Sequence, residues 1–257
     1  MRQLKTIWLI INLKTALVTL LAVGSTFWCR RLELVADFPL TLIATAIVFP
    51  VVFSIGGAYK RRETALAEYG NMKSHGKAIF LAARDWLDDP PPETLDRARE
   101  RLGDIMKSCR NLFSNPVRDM RTNEEAVYRD FNALSRFIRE DLRGGGLASG
   151  EVSRCNQYLS KMMVAFENIK HIYQYRTPNS LRVFSDFFIT LLPPLYGPYF
   201  AFISKDYSEG LAYVMPVLFS LILVGLDNIQ EHLENPFDQI GEDDVVINAE
   251  LFVERLR

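Results

Sequence analysis

Cysteine and histidine are scarce in this chain: three of each among 257 residues. Cys29, Cys109 and Cys155 are an odd, widely spaced set with no CxxC and no Cys/His ligand spacing. That excludes a disulfide framework and a structural zinc site, and it fits a reducing cytosolic setting for the middle of the chain. His75, His171 and His232 stand alone, without HxxxH or HExxH, and spacing assembles no nucleophile with a base and an orienting group. The expectation is therefore no enzyme. An excess of one charge is missing too. The formal net charge is −1 and no basic patch interleaved with aromatics occurs, which argues against nucleic acid as a partner. Gly144-Gly145-Gly146 lacks the lysine of a phosphate loop and reads as a helix stop and link. Arg2 and Lys5 precede an apolar stretch as in a signal peptide. No small-residue cleavage site follows, however, and a retained span is expected.

What the sequence does have is an uneven distribution of apolar residues. Its 49% hydrophobic content is ordinary, but the apolar runs fall in two pairs around a charged middle from Lys60 to Arg182. Four membrane spans are expected: Thr6 to Trp28, Phe38 to Tyr59, Val183 to Ser204 and Leu211 to Leu226, against the roughly 20 residues a helix needs to cross hydrocarbon. Asn12 and Lys14 interrupt the first, and Lys14 either snorkels to the interface or is buried or pore-facing. The second carries no charge, and Pro50 at its middle removes one intrahelical hydrogen bond and should bend it. The third holds Pro193, Pro194, Gly197 and Pro198, so its backbone must be irregular and protected by neighbouring helices, with Asp186 at the interface.

The charged middle reads as a helical bundle. The second helix continues past Lys60 until Asp88-Asp89-Pro90-Pro91-Pro92 breaks it. Leu95, Ala98, Leu102, Ile105, Cys109 and Leu112 then form a buried seam that ends at Asn115-Pro116. A further helix from Asn123 to Arg143 places Val127, Phe131, Leu134, Ile138 and Leu142 on one side. The helix from Ser149 to Arg176 carries the longest seam, Val152 to Tyr173. The fold class expected is an all-α membrane protein: hairpins over residues 1–59 and 183–226, a cytosolic helical domain over 60–182, and a helix extension with a tail over 227–257. Lys60, Arg61, Arg62, Lys73, Lys77, Lys170, Arg176 and Arg182 flank the membrane in the middle section, while the link between spans three and four offers only Lys205. The positive-inside rule puts the middle and both termini in the cytoplasm of a multi-pass cell-membrane protein, with Arg30 and Arg31 as the counter-evidence.

On the second helix Thr45, Phe49, Phe53 and Gly56 share one face. Two readings stand: lipid-facing or interhelical packing, or a hydrophobic constriction lined by symmetry-related copies. Past the fourth span, Gly225 to Asp238 reads GLDNIQEHLENPFD. Asp227, Glu231 and Glu234 recur on one helical face, and Pro236 ends the helix near Asn235. An acidic turn follows with Asp238, Glu242, Asp243 and Asp244. Asp243 or Asp244 suits the cap of a last helix, while the set of carboxylates suits a hard cation.

The stretch Asp227, Glu231, Glu234, Asn235, Pro236, Phe237 with its acidic tail resembles the end of the fourth membrane helix of bestrophin channels, and the layout of two hairpins around a cytosolic helical domain resembles the bestrophin plan. The resemblance implies a homopentamer around a central pore, with a neck on the second helix at Thr45, Phe49, Phe53 and Gly56. Gly56 or Gly57 stands where the family carries a third bulky residue. It implies a second, cytosolic aperture, for which Val152 is the candidate beside its reading as a core valine. It also implies calcium at Asp238, Glu242, Asp243 and Asp244 as a ligand set beside the capping reading, with no cofactor required. The function implied is passive conduction of ions, chloride or cations. The partners implied are membrane lipid, permeant ions and further copies of the chain. The alternative is a non-conducting membrane scaffold or sensor whose helical bundle binds a partner.

Overall fold

A computed structural model describes residues 10–37, 39–175, 178–208, 210–237 and 244–257. The secondary structure of these residues is helical, with no strand among them. The chain divides into two compact units, one formed by residues 1–60 with 177–234 and the other by residues 61–176 with 235–257. Helix α2 (Leu40–Asp85) contributes to both, its part up to Lys60 belonging to the first.

In the first unit α1 (Leu13–Arg31) packs against α6 (Asn179–Leu195), α7 (Gly197–Ile203) and α8 (Val214–Glu234). The expected first span begins at Thr6, among residues 1–9, which lie outside those described. The described helix starts later and ends later, at Arg31, and the reason is local. Asn12 is its N-cap: the Asn12 side chain accepts from the Thr15 backbone N–H at 3.1 Å and the Thr15 hydroxyl accepts from the Asn12 N–H at 3.4 Å. Its 19 residues cover about 28 Å at 1.5 Å per residue, close to the hydrocarbon thickness of a bilayer. The expected third span is two helices broken at Tyr196, as its prolines require. The Ser25 hydroxyl of α1 donates to the carbonyl of Pro194 at 2.7 Å beside that break.

The core of this unit holds Val18, Val51, Ile189, Leu192, Tyr196 and Phe200, with Leu223 and Val224 of α8. Its outer surface is just as apolar: Leu20, Trp28, Phe49, Phe53, Val183, Phe187 and Ile222 are all more than half exposed. A soluble surface rarely carries such a density of large apolar side chains. Among the described residues two helices, Thr41–Asp85 and Leu211–Glu234, are long and apolar enough to cross a membrane.

The second unit has the opposite pattern, an apolar interior under a charged surface. Its helices α3 (Pro92–Ser114), α4 (Met120–Phe137) and α5 (Ser149–Gln174) bury their seams as the periodicity predicts, from Ala98 to Leu112, Val127 to Leu134 and Val152 to Tyr173. A wide turn, Ile138–Leu142, follows α4, and Gly146 at φ +101° lets the chain reverse there, a backbone angle side chains disfavour. Proline at the start of α3 uses a position where no N–H is needed. The last helix, α9 (Ala249–Glu254), corrects one expectation. Its N-cap is Asn248, whose side chain accepts from the Leu251 N–H at 2.8 Å, and not Asp243 or Asp244. The residues just ahead of it are not helical, and the Val245 N–H donates to the Pro236 carbonyl at 2.7 Å.

Candidate pore-lining face and a buried charged cluster

The part of α2 in the first unit is two-sided. Ile47, Val51, Ser54 and Ala58 are buried, whereas Leu42, Thr45, Ala46, Phe49, Val52, Phe53 and Gly56 are exposed. All four residues expected to share a face do share one. Phe49 and Phe53 are 61% and 64% exposed and meet edge to face, with ring centroids 4.6 Å apart. Thr45 donates its hydroxyl to the Thr41 carbonyl at 2.6 Å, so the one polar group of the stripe is satisfied within its own helix and the face is apolar in effect. A Cβ at Gly56 would meet nothing within 4 Å, so the stripe ends in open space there. Pro50 lies inside the unbroken helix.

The charges that interrupt the apolar segments converge. Lys14 reaches two carboxylates at once, Asp186 on α6 and Asp227 on α8, the latter at 2.6 Å. Snorkelling is thus replaced by ion pairing, and Asp227 is largely buried. Arg182 bridges Glu231 at 3.3 Å and Glu234 at 3.1 Å, one turn further along α8. Beside them the Asn228 amide donates to the Ile10 carbonyl at 2.6 Å and to the Thr15 hydroxyl at 3.1 Å, and its carbonyl accepts from Asn12 at 3.1 Å. Polar residues unwelcome in hydrocarbon are thereby paired across helices. No sequence signal joined them, because the partners of Lys14 lie 172 and 213 positions away.

The rest of the Asn-Pro-Phe motif does structural work in the second unit. Phe237 is buried and stacks on Phe113 with centroids 5.1 Å apart, beside Tyr173. Helix α8 ends at Glu234, where Pro236 requires it. Val152 is 9% exposed within the core of its own unit, which weighs for packing over a place on an aperture. Of the acidic turn, Asp238, Glu242 and Asp243 lie outside the described residues. Asp244 is half-buried, and among the described residues no group of three His, Cys, Asp or Glu side chains is placed to hold a metal. His75 stacks on Tyr158, and burial, with the Lys161 charge second, pushes it below the usual imidazole range.

The second unit has its own charge centre. Lys170 is held by Glu124 at 2.7 Å, Glu167 at 2.6 Å and the Tyr128 hydroxyl at 2.7 Å, and that hydroxyl also meets Glu167. Burial alone would lower Lys170, but these hydrogen bonds raise it overall. Tyr128 is pushed up to about 12, by burial first and then by Glu167.

No protein-family model matches the sequence, and no curated protein sequence does. Solved structures do match in shape over nearly the whole chain. A bacterial bestrophin homolog from Klebsiella pneumoniae superposes with a TM-score of 0.76 at 18% identity, covering 98% of this chain and 97% of its own. A point mutant of that homolog reaches 0.78 at 17% identity with the same coverage. A crystal structure described only as a membrane protein variant reaches 0.80 at 16% identity, over 96% of this chain and 97% of that one. The chain therefore has the all-α fold of the bacterial bestrophin homologs.

Proposed function

We propose that this chain is one subunit of a bestrophin-type ion channel in a cell membrane, in which copies of α2 surround a central conduit and Phe49 and Phe53 form its narrow apolar neck. The observation that carries this reading is the unpartnered stripe on α2: an exposed apolar face favours cover by lipid or protein, and cyclic repetition would set copies of it around a narrow apolar conduit. The bestrophin fold supports it, and a ring of five is the number that the resemblance implies. The first unit, inside-out in its apolar exposure, would lie in the bilayer with four spans, and the second in the cytoplasm with both termini. Ions would pass without covalent chemistry, and conduction would depend on whether the neck is wide enough to stay wet. Aromatic edges carry partial positive charge and favour anions, so chloride is the first permeant ion to try. The acidic turn at Asp238, Glu242, Asp243 and Asp244 is the proposed calcium site, and an unfolding temperature indifferent to calcium would remove it.

Planar-bilayer recording of the purified oligomer tests the channel reading. Wild type conducts, and the Phe49→Ala/Phe53→Ala variant conducts more or closes less. A correctly assembled oligomer that passes no current in either form would instead favour a membrane scaffold.

A further inference from the structure

Behind the ion pairs of the first unit lies a cavity of about 500 Å³ whose walls include Lys14, Arg182, Asp186, Asp227, Glu231 and Glu234. Two cations face four carboxylates there, a formal surplus of two negative charges. Each cation is already shared between two acids: Lys14 between Asp186 and Asp227, Arg182 between Glu231 and Glu234. The deepest groups are left over. Gln230 and Glu234 also line the cavity, one helical turn apart on α8. They are 2% and 4% exposed, and Gln230 Oε1 and Glu234 Oε1 have no hydrogen-bond partner. A buried acceptor without a donor is destabilising, and Gln230 and Glu234 each carry one on a residue that lines this acidic cavity.

From this geometry we infer that the cavity is a binding site for a small primary ammonium, free in solution or carried as the ethanolamine headgroup of a phospholipid. An anion is disfavoured by the surplus carboxylates. A divalent metal would want six or more oxygens, and no three carboxylate or imidazole ligands converge among the described residues. A primary ammonium matches better, because it brings positive charge and three N–H donors to Gln230 Oε1 and Glu234 Oε1. The volume exceeds what one water or bare ion fills, about 30 Å³, and leaves room for the short carbon chain behind the nitrogen. Arg182, a half-exposed residue of the cavity lining, would meet a phosphate if the amine arrives on a lipid.

The test is thermal unfolding and calorimetry of the full-length protein in detergent, with ethanolamine hydrochloride, tetramethylammonium chloride and calcium chloride at matched ionic strength. The expected result is a saturable rise in unfolding temperature with ethanolamine and none with tetramethylammonium, which has the charge but no N–H. Gln230→Leu is expected to weaken ethanolamine binding about tenfold, the loss of one charge-assisted hydrogen bond. Glu140→Gln, an exposed carboxylate of the second unit that is no part of the cavity lining, is expected to change it by about threefold or less. Protein in phosphatidylcholine nanodiscs with or without phosphatidylethanolamine identifies the source: stabilisation by the aminophospholipid that Gln230→Leu abolishes assigns the lipid headgroup, and stabilisation by free ethanolamine alone assigns a soluble amine. Equal effects of the two ammonium salts, a response to calcium only, or no response to any of them would overturn the site. Should Gln230→Leu fail to fold, the comparison of the two salts on wild type still decides. Current through the pore is not a readout, so this site and the channel reading fail separately.

Discussion

Phe49 and Phe53 meet edge to face one helical turn apart, at 4.6 Å and 72°, on the side of α2 that its own unit leaves open. Their contact with each other is worth about 0.5–1.5 kcal/mol and they support little else in the chain. Truncating both to alanine should therefore change the stability of the folded protein by about 2 kcal/mol or less, measured by chemical or thermal unfolding in detergent. Any large change in conductance then belongs to the pore and not to misfolding.

Lys14 is the opposite case. It compensates Asp227, which is largely buried, and Asp186, which is exposed. Removing one partner of a buried ion pair costs about 3–5 kcal/mol, because a charge is stranded away from water. Lys14→Met should lower stability by about that amount, and adding Asp227→Asn should recover a large part of the loss. Asp186→Asn should cost about 1 kcal/mol or less, as an exposed carboxylate does. Unfolding of the four proteins under one condition provides the comparison.

Lys170 and Tyr128 give the second unit an alkaline limit. Lys170 in the folded chain sits above its ordinary 10.5, so its pairing stabilises fully below that value and is lost as pH rises through the higher folded value. Tyr128 keeps its proton up to about 12 when folded but ionises near its ordinary 10 when unfolded. Between those values the unfolded chain holds fewer protons, and stability falls with rising pH. Both shifts have the same sign. Unfolding temperatures should be flat between about pH 8 and 10 and decline above about pH 10, with a shallower decline for Tyr128→Phe.

Gly197 opens α7 where α1 comes closest. A Cβ there would stand 2.1 Å from Ser25 Oγ and 3.0 Å from the Ser25 backbone carbon, so the backbone itself would have to move. Gly197→Ala should destabilise by about 1–3 kcal/mol, the usual range for overpacking. Ser25→Ala would not relieve it, since the backbone contact remains. Retention of assembled, monodisperse protein in detergent over a temperature series is the readout.

Much of the architecture was legible because it is written in local patterns. Cys109 and Leu112 on α3, Phe131 on α4 and Phe166 on α5 fall on seams a few residues apart, and Pro236 stops α8 by removing its own N–H. The grouping of Thr45, Phe49, Phe53 and Gly56 on one face was legible for the same reason. The partnership of Lys14 with Asp227, and of Asn12 with Asn228, was not. Each charge or amide, taken alone, reads as an interruption of an apolar run, and only the packing of α1 on α8 reveals that the interruptions compensate one another. The cap of α9 was misread for a related reason: the Val245 N–H is taken by the distant Pro236 carbonyl, and the helix starts only after Asn248.

The most direct test is to place a single reactive thiol on the stripe. Cys109 and Cys155 are buried and unreactive, so with Cys29→Ser as background, Phe53→Cys adds one exposed sulfur. A charged, water-soluble thiol reagent applied during bilayer recording should reach it through the conduit and suppress the current. Complete labelling of that cysteine with the current untouched, or a particle that remains a single subunit in both detergent and lipid, would contradict a pore lined by α2.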